Sequence, residues 1–448
     1  MKTLFYSVIS MALVFMLASC VEAIEQSVPA KNADYQAKRE MLTKSLADDL
    51  SQGVTKTDVE DYLAFRMSIS LDDVKDITRF DIDETAYVFI VNMNRGGWYI
   101  FSGDYSSVPV IARGEGFLNM SNVVSKRGGE WMQTISGRIV ENKNLISDEV
   151  MNNRAEWTRV KYLSTTHRNS KHKTRNDPYD SYLVYDTLNY VYYPTMTVTS
   201  WDQYPPFNNA MPKLRYGSDR CLAGCAVIAI AQLLFYTHGA FGFPSVCYSH
   251  ASCNQYYDEG PAYNFNLTSP VNYSWYLMYN TYSFLDTDPY VPALCAQIAD
   301  RSRTTYGVVY PYASLSSNSY GETKLDSIPG TLGSFSLNNV HNRSFSIDSI
   351  VNELANNRPV LSSGTMSDTS SFGHSYLIDG YYWLRVKETE YELDDNGAIL
   401  GEIVNIYDEK KWSVNTGKDD PSHHMWVHEG YYYPANRVIS IGWKQSGQ

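Results

Sequence analysis

The chain has 448 residues, 44% of them hydrophobic, and a formal net charge of −12. At about 100–200 residues per domain, that length suggests two or three domains of ordinary globular composition. The acidic balance argues against a nucleic-acid partner, because neutralising phosphates takes a basic surface.

The chain begins as an exported protein would. Lys2 supplies a short positive region, and Leu4 to Leu17 is an apolar run too short for a stop-transfer helix. The run ends Leu17-Ala18-Ser19-Cys20, which resembles a bacterial lipobox. The resemblance implies a lipid on Cys20 and a place in the bacterial cell envelope, with release on maturation; the plain alternative is an ordinary signal peptide. Residues 1–20 are thus expected to be a signal peptide with lipobox. The 37 tyrosines suit an extracellular fold with aromatic-lined surfaces. Export permits disulfides. Of six cysteines, five remain if Cys20 is lipidated, so at least one thiol stays unpaired. Cys247 with Cys253, and Cys221 with Cys295, are the pairs to consider. No CxxC or HxxxH pair occurs, so no structural metal is expected, and no cofactor motif appears.

A helix is predicted around Ala33 to Leu50. Thr57-Asp58-Val59-Glu60 reads as a capping box opening a helix through Val59, Tyr62, Leu63 and Arg66. Thr85 to Asn92 is a β-branched and aromatic strand. The turn Asn94-Arg95-Gly96-Gly97 leads to a second strand, Trp98 to Ser102, as in a hairpin. Val108 to Ala112 is a third. Gly129 to Met151 is helical, with Trp131, Ile135, Ile139 and Leu145 on one face. Residues 24–158 therefore form a compact α+β unit. Between Arg159 and Asn176 six basic residues occur and no acidic one. Residues 159–178 read as a solvated basic linker open to proteolysis.

The second domain, 179–448, starts near Tyr179. Trp201 to Asn208 is a Pro-rich loop. The stretch Cys221-Leu-Ala-Gly-Cys225 leads into a run that is almost wholly apolar from Ala226 to Tyr236. A helix apolar all round belongs in a core. His238 in the last turn and Gly239 as C-cap mark its end. Cys225 then sits in the first turn, where the positive end of the helix dipole favours a thiolate. Gly224 would leave room for a substrate backbone. A small apolar residue at a helix start is the plainer reading of Cys225. Residues 240–275 are loop-rich. Helices follow at Pro292 to Arg303 and Ser349 to Asn356. Strands follow at Val360 to Ser363 and Gly373 to Tyr382. Lys387 to Asp408 could form a long hairpin around Asp394 to Gly397. Gly430 to Pro434 and Val438 to Trp443 complete the sheet.

A thiolate nucleophile needs a base, an orienting group and oxyanion donors. His374, opening a strand after Gly373, is the best base. Gln203 carries an amide that could donate to an oxyanion. These residues resemble the streptopain-type secreted cysteine peptidases. Trp201-Asp202-Gln203 through Phe207-Asn208 is similar to the segment whose Gln lines the oxyanion hole. Gly224-Cys225-Ala226 with Ala231-Gln232 is similar to the nucleophile helix. Asn357-Arg358-Pro359-Val360 and Gly373 to Tyr381 are similar to two further segments, the latter carrying the general base. The resemblance implies an α+β, papain-like peptidase domain with a buried nucleophile helix against an antiparallel sheet, preceded by a smaller α+β propeptide domain. It implies a zymogen that hydrolyses peptide bonds through an acyl-enzyme. Its partners would be peptide substrates, its own propeptide domain and, through Cys20, a membrane.

The family's Asn-Trp-Gly-Trp-Gly segment is altered here. Two registers compete for it. Asn415, in Ser413 to Lys418, keeps the Asn and Gly and is the preferred candidate to orient His374. Trp426, in His423 to Trp426, is the alternative shield, with Met425 in place of Asn. The alteration keeps open a second reading, a catalytically impaired relative acting as a binding or inhibitor lipoprotein.

Overall fold

The computed structural model describes residues 53–119, 128–170, 180–211, 220–241, 252–257, 263–266, 275–278, 290–308, 320–367, 373–393, 399–417 and 424–445. Cys20, the expected helix over 33–50, Cys247 and the turn 394–397 lie outside the described residues.

The N-terminal region opens with α1 (Lys56–Asp61), which passes into a π-helical turn at Tyr62–Arg66. Its cap is Thr55, not Thr57. The Thr55 hydroxyl and the Asp58 carboxylate bond each other's backbone N–H, so the capping box lies two residues earlier than expected. Four strands follow: β1 (Val74–Asp81), β2 (Tyr87–Met93), β3 (Trp98–Ser102) and β4 (Val110–Gly114). β1 escapes sequence reading because its residues are mostly half-exposed or exposed and show no apolar alternation. Gly129 to Met151 is not one helix. It divides into α2 (Gly128–Asn144) and α3 (Asp148–Ser170), and Leu145 lies exposed in the break while Trp131, Ile135 and Ile139 are buried.

The elements that follow are β5 (Asp180–Tyr193), α4 (Cys225–Phe241), β6 (Ser252–Tyr257), β7 (Tyr263–Asn266), α5 (Tyr290–Arg301), β8 (Thr305–Val308) and β9 (Tyr320–Glu322). Then come α6 (Ile328–Ser334), β10 (Leu337–Asn338), β11 (His341–Ser344), α7 (Ile347–Ala355) and β12 (Val360–Thr365). The chain ends with β13 (Gly373–Leu393), β14 (Ile399–Asn415), β15 (His424–His428), β16 (Ala435–Ile441) and β17 (Lys444–Gln445). Two strands, β6 and β7, occupy the stretch expected to be loop, and α4 runs two residues beyond Gly239. Residues 430–434 form a turn, and the sheet resumes at Ala435.

The principal sheet has the order β1-β2-β3-β4-β15-β14-β13-β12-β16-β11, with β5 pairing β13 outside that path. β4 pairs antiparallel with β15, Ala112 opposite Val427 and Arg113 opposite Trp426. The N-terminal strands therefore continue the sheet of the C-terminal half. The chain falls into two compact units. One unit holds 54–154, 191–382 and 410–448; the other, in its described residues, holds Gly53, 155–170, 180–190, 383–393 and 399–409. The β4–β15 ladder explains the first, because its hydrogen bonds run across the expected boundary.

In the second unit, the first half of the expected linker is the end of α3. Trp157 and Val160 are buried there, and Arg159 Nε donates to Glu388 Oε1 at 2.9 Å. Residues 171–178 lie outside the described ones. Trp383 Nε1 donates to Asp408 Oδ1 at 2.8 Å between the far arms of β13 and β14.

The main core surrounds α4. Val227 to Leu234 are all buried, against Trp201, Phe207, Leu294, Ile298, Leu332, Leu361, Leu377 and Trp443. Cys221 and Cys295 are free and buried in it, not paired with each other. Among the described residues no helix is long and apolar enough to cross a membrane.

Candidate active site

Cys225 is the first residue of α4 and is half-buried. The residue before it must be glycine for two reasons. Gly224 has φ +100°, which L side chains rarely adopt, and a Cβ there would stand 2.8 Å from the Gly321 carbonyl. The close approach seen here is to the protein's own backbone. The segment ahead is pinned to the Pro-rich loop. Ala223 N donates to the Gln203 carbonyl at 3.0 Å, and Asn208 Nδ2 to the Cys221 carbonyl at 3.1 Å. Gln203 itself is buried.

β13 reaches the same place from the sheet. Ser375 N donates to Cys225 Sγ at 3.4 Å, which sets the start of this strand on the thiol. His374, directly before Ser375, is buried. Its Nε2 lies 2.8 Å from the Thr416 carbonyl. A carbonyl can only accept, so Nε2 carries a proton. Neutral His374 therefore has a bare Nδ1, the form a general base requires.

The bond to His374 thus comes from the backbone of Thr416, not from the side chain of Asn415. Asn415 Nδ2 donates to Thr197 Oγ1 at 3.1 Å and to the Thr199 carbonyl at 2.8 Å, and Oδ1 accepts from Gly417 N at 3.3 Å. The last bond closes a turn around Thr416 and aims its carbonyl. Gly417 in turn rests on Ile228 of α4. Asn415 shapes the turn that presents the Thr416 carbonyl to His374.

Trp426 lies in β15, stacked on Tyr192 at 5.9 Å between ring centroids, with the Arg113 guanidinium 5.8 Å from its ring. The rings around His374 are tyrosines: Tyr433 at 5.0 Å, Tyr376 at 6.0 Å and Tyr432 at 6.0 Å. Sequence reading missed this wall. Its signal is the tyrosine run after Gly430. Gly364, opposite His374 in β12, lets the Tyr433 backbone close in, since a Cβ there would strike the Tyr433 carbonyl. Among the described residues no group of three or more His, Cys, Asp or Glu side chains could hold a metal.

A thiol at a helix N-terminus, a buried histidine opening a strand and a buried glutamine are the kinds of group a cysteine peptidase uses. Residues 201–397 match the family described as the Peptidase C10 family. That segment, less than half of the chain, holds Gln203, Cys225 and His374; Asn415 and Trp426 fall beyond it. The chain is also similar to two solved structures from Prevotella intermedia. One is a prointerpain A fragment, 17% identical, with 82% of this chain and 98% of that one covered at a TM-score of 0.47. The other is the active interpain A cysteine protease, 21% identical, with 56% and 94% covered at a TM-score of 0.37. No curated protein matches the chain.

Proposed function

We propose that the chain is the latent precursor of an exported cysteine endopeptidase, tethered to a membrane by lipid on Cys20. The observation that carries the catalytic part is the bond of His374 Nε2 to the Thr416 carbonyl, beside the Ser375–Cys225 contact. His374 Nδ1 takes the Cys225 proton. The thiolate attacks the scissile carbonyl, and the oxyanion is met by the Gln203 amide and the Cys225 N–H, a first-turn amide without an intrahelical acceptor. The protonated His374 then gives its proton to the leaving amine. Water hydrolyses the thioester, again with His374 as base.

Latency is supported by contacts of the N-terminal region with the tyrosine run. Trp131 Nε1 donates to the Tyr431 carbonyl at 3.1 Å, and its ring meets Tyr432 edge-on at 6.2 Å. Asn142 Nδ2 donates to the Tyr431 hydroxyl at 3.1 Å. Tyr432 in turn touches His374. Residues 54–154 therefore grip the segment that walls the base, and removing them frees it. The test is peptide hydrolysis by the uncut chain and after limited trypsin treatment, in Cys20→Ala protein. Activity that rises on cutting and is absent in Cys225→Ser supports the reading. Full activity in the uncut chain, with no gain on cutting, overturns the latent form.

A further inference from the structure

Behind the Thr416 carbonyl lies a buried polar cluster that the peptidase chemistry does not use directly. Asp379, on β13, is fully buried. Its Oδ2 accepts from Thr197 N at 3.1 Å and from the Thr197 hydroxyl, and its Oδ1 from the Ser413 hydroxyl at 2.8 Å. Thr197 Oγ1 in turn accepts from Asn415, so carboxylate, hydroxyl and amide form one chain leading to the turn around Thr416.

His424, on β15, closes the cluster. It is opposite Asn415 in the β14–β15 ladder. Asn415 Nδ2 lies 2.8 Å from the Thr199 carbonyl, 3.1 Å from Thr197 Oγ1 and 3.2 Å from His424 Nε2; the first two take its N–H groups, so His424 Nε2, 3.1 Å from the Thr199 carbonyl, is assigned as a donor. Nδ1 has no hydrogen-bond partner and faces Asp379 Oδ2 at 3.7 Å. A bare ring nitrogen aimed at an ionised carboxylate is repulsive. Burial pushes the Asp379 carboxyl up, against the pull of His424 and of its hydroxyl partners. The titratable groups that feel Asp379 are His424 on β15 and Tyr236 on α4.

We propose that Asp379, Asn415 and His424 form a positioning network that aims the Thr416 carbonyl at His374 and so sets the pH range in which Cys225 is reactive. The proposal rests on the Cys225–His374 reading above. When the network is intact, the carbonyl stabilises the imidazolium form of His374 and with it the thiolate of Cys225. When it is broken, the carbonyl swings and the imidazolium loses an acceptor.

The experiment is the rate of Cys225 alkylation by iodoacetamide in the full-length chain, followed by peptide mass spectrometry between about pH 4 and 10, where thiolate content governs the rate. The acidic limb of the wild-type profile should be abolished by His374→Ala. Asp379→Asn and His424→Ala should each move the limb alkaline by about one pH unit, which is about tenfold in rate on the limb, while the alkaline plateau stays unchanged. His424→Gln keeps a donor for the Thr199 carbonyl and should restore most of the rate. Should Asp379→Asn fail to fold, His424→Ala, at a position about a quarter exposed, carries the same test. Curves that superimpose on the wild type, or that fall equally at every pH, overturn the network. A wild type with no limb for His374→Ala to remove overturns the Cys225–His374 reading itself.

Discussion

Cys225 and His374 stand on different kinds of element, and each bonds to backbone. The thiol is held by the Ser375 N–H and the ring by the Thr416 carbonyl. Cys225→Ser should therefore abolish labelling by an electrophilic peptidase inhibitor, and Cys221→Ser, a buried core position, should not. His374→Ala should lower peptide turnover by roughly 10²–10⁴-fold, the usual worth of a general base. Gln203→Ala should cost roughly 10²–10³-fold if its amide meets the oxyanion. Gly224→Ala should lower both the labelling rate and the melting temperature. An L residue in the left-handed region costs about 1–2 kcal/mol, and the Gly321 carbonyl blocks the added methyl. Wild-type labelling by Gly224→Ala would show that α4 can shift without moving the thiol.

At the scale of elements, two junctions are held by charge. After α7, Asn357 turns the chain with φ +55°, and Arg358 doubles back to grip Glu353 through Nε at 2.7 Å and Nη2 at 3.0 Å. Glu353 Oε2 also accepts from Gly442 N, so one carboxylate joins α7, β12 and the end of β16. Arg358→Ala leaves that buried carboxylate half-satisfied and should cost about 2 kcal/mol, read as a lower urea midpoint. The second junction is Asp83, between β1 and β2. Burial works against its charge, but bonds from the Ser136 and Thr85 hydroxyls and from the Thr85 and Ala86 N–H groups hold its pKa down to about 2. A depressed carboxylate adds stability above its unfolded pKa of about 4 and loses it as pH falls through about 2. Asp83→Asn should therefore melt below the wild type at neutral pH, and the difference should shrink across that window. A difference that is constant with pH would mean that the charge of Asp83 is idle.

At the scale of the whole molecule, the sheet that runs through β4 and β15 makes the N-terminal strands part of the same folded unit as Cys225 and His374. Limited trypsin digestion should first cut after Lys171, Lys173 or Arg175. Arg159 and Lys161 should resist, because Arg159 is bonded to Glu388 and Lys161 is buried in α3. A first cut inside 54–154 would argue against release of that region in one piece. Trp131→Ala should raise peptide turnover in the uncut chain, since the grip on Tyr431 and Tyr432 is lost. It should change nothing after the N-terminal region has been removed. In cells, Cys20→Ala should move the chain from the membrane pellet to the soluble fraction, as membrane tethering by that residue requires.

The sequence by itself determined what depends on local pattern. The apolar run from Ala226 could only be a core helix, so Cys225 had to stand at its N-terminus, and all of its core positions are indeed buried. Gly373-His374-Ser375 announced a strand opened by a histidine, and β13 starts at Gly373. Trp98 to Ser102, expected as the strand after the Asn94 to Gly97 turn, is a strand with those bounds. What only the tertiary structure decided is whatever depends on backbone groups, which every residue carries alike. No side-chain pattern could say that the Thr416 carbonyl, rather than the Asn415 amide, would meet His374. None could say that Tyr432 and Tyr433 would wall the base while Trp426 stacked on Tyr192. The β4–β15 ladder escaped for the same reason, since strand pairing across 300 residues is made by N–H and C=O groups that carry no sequence signature.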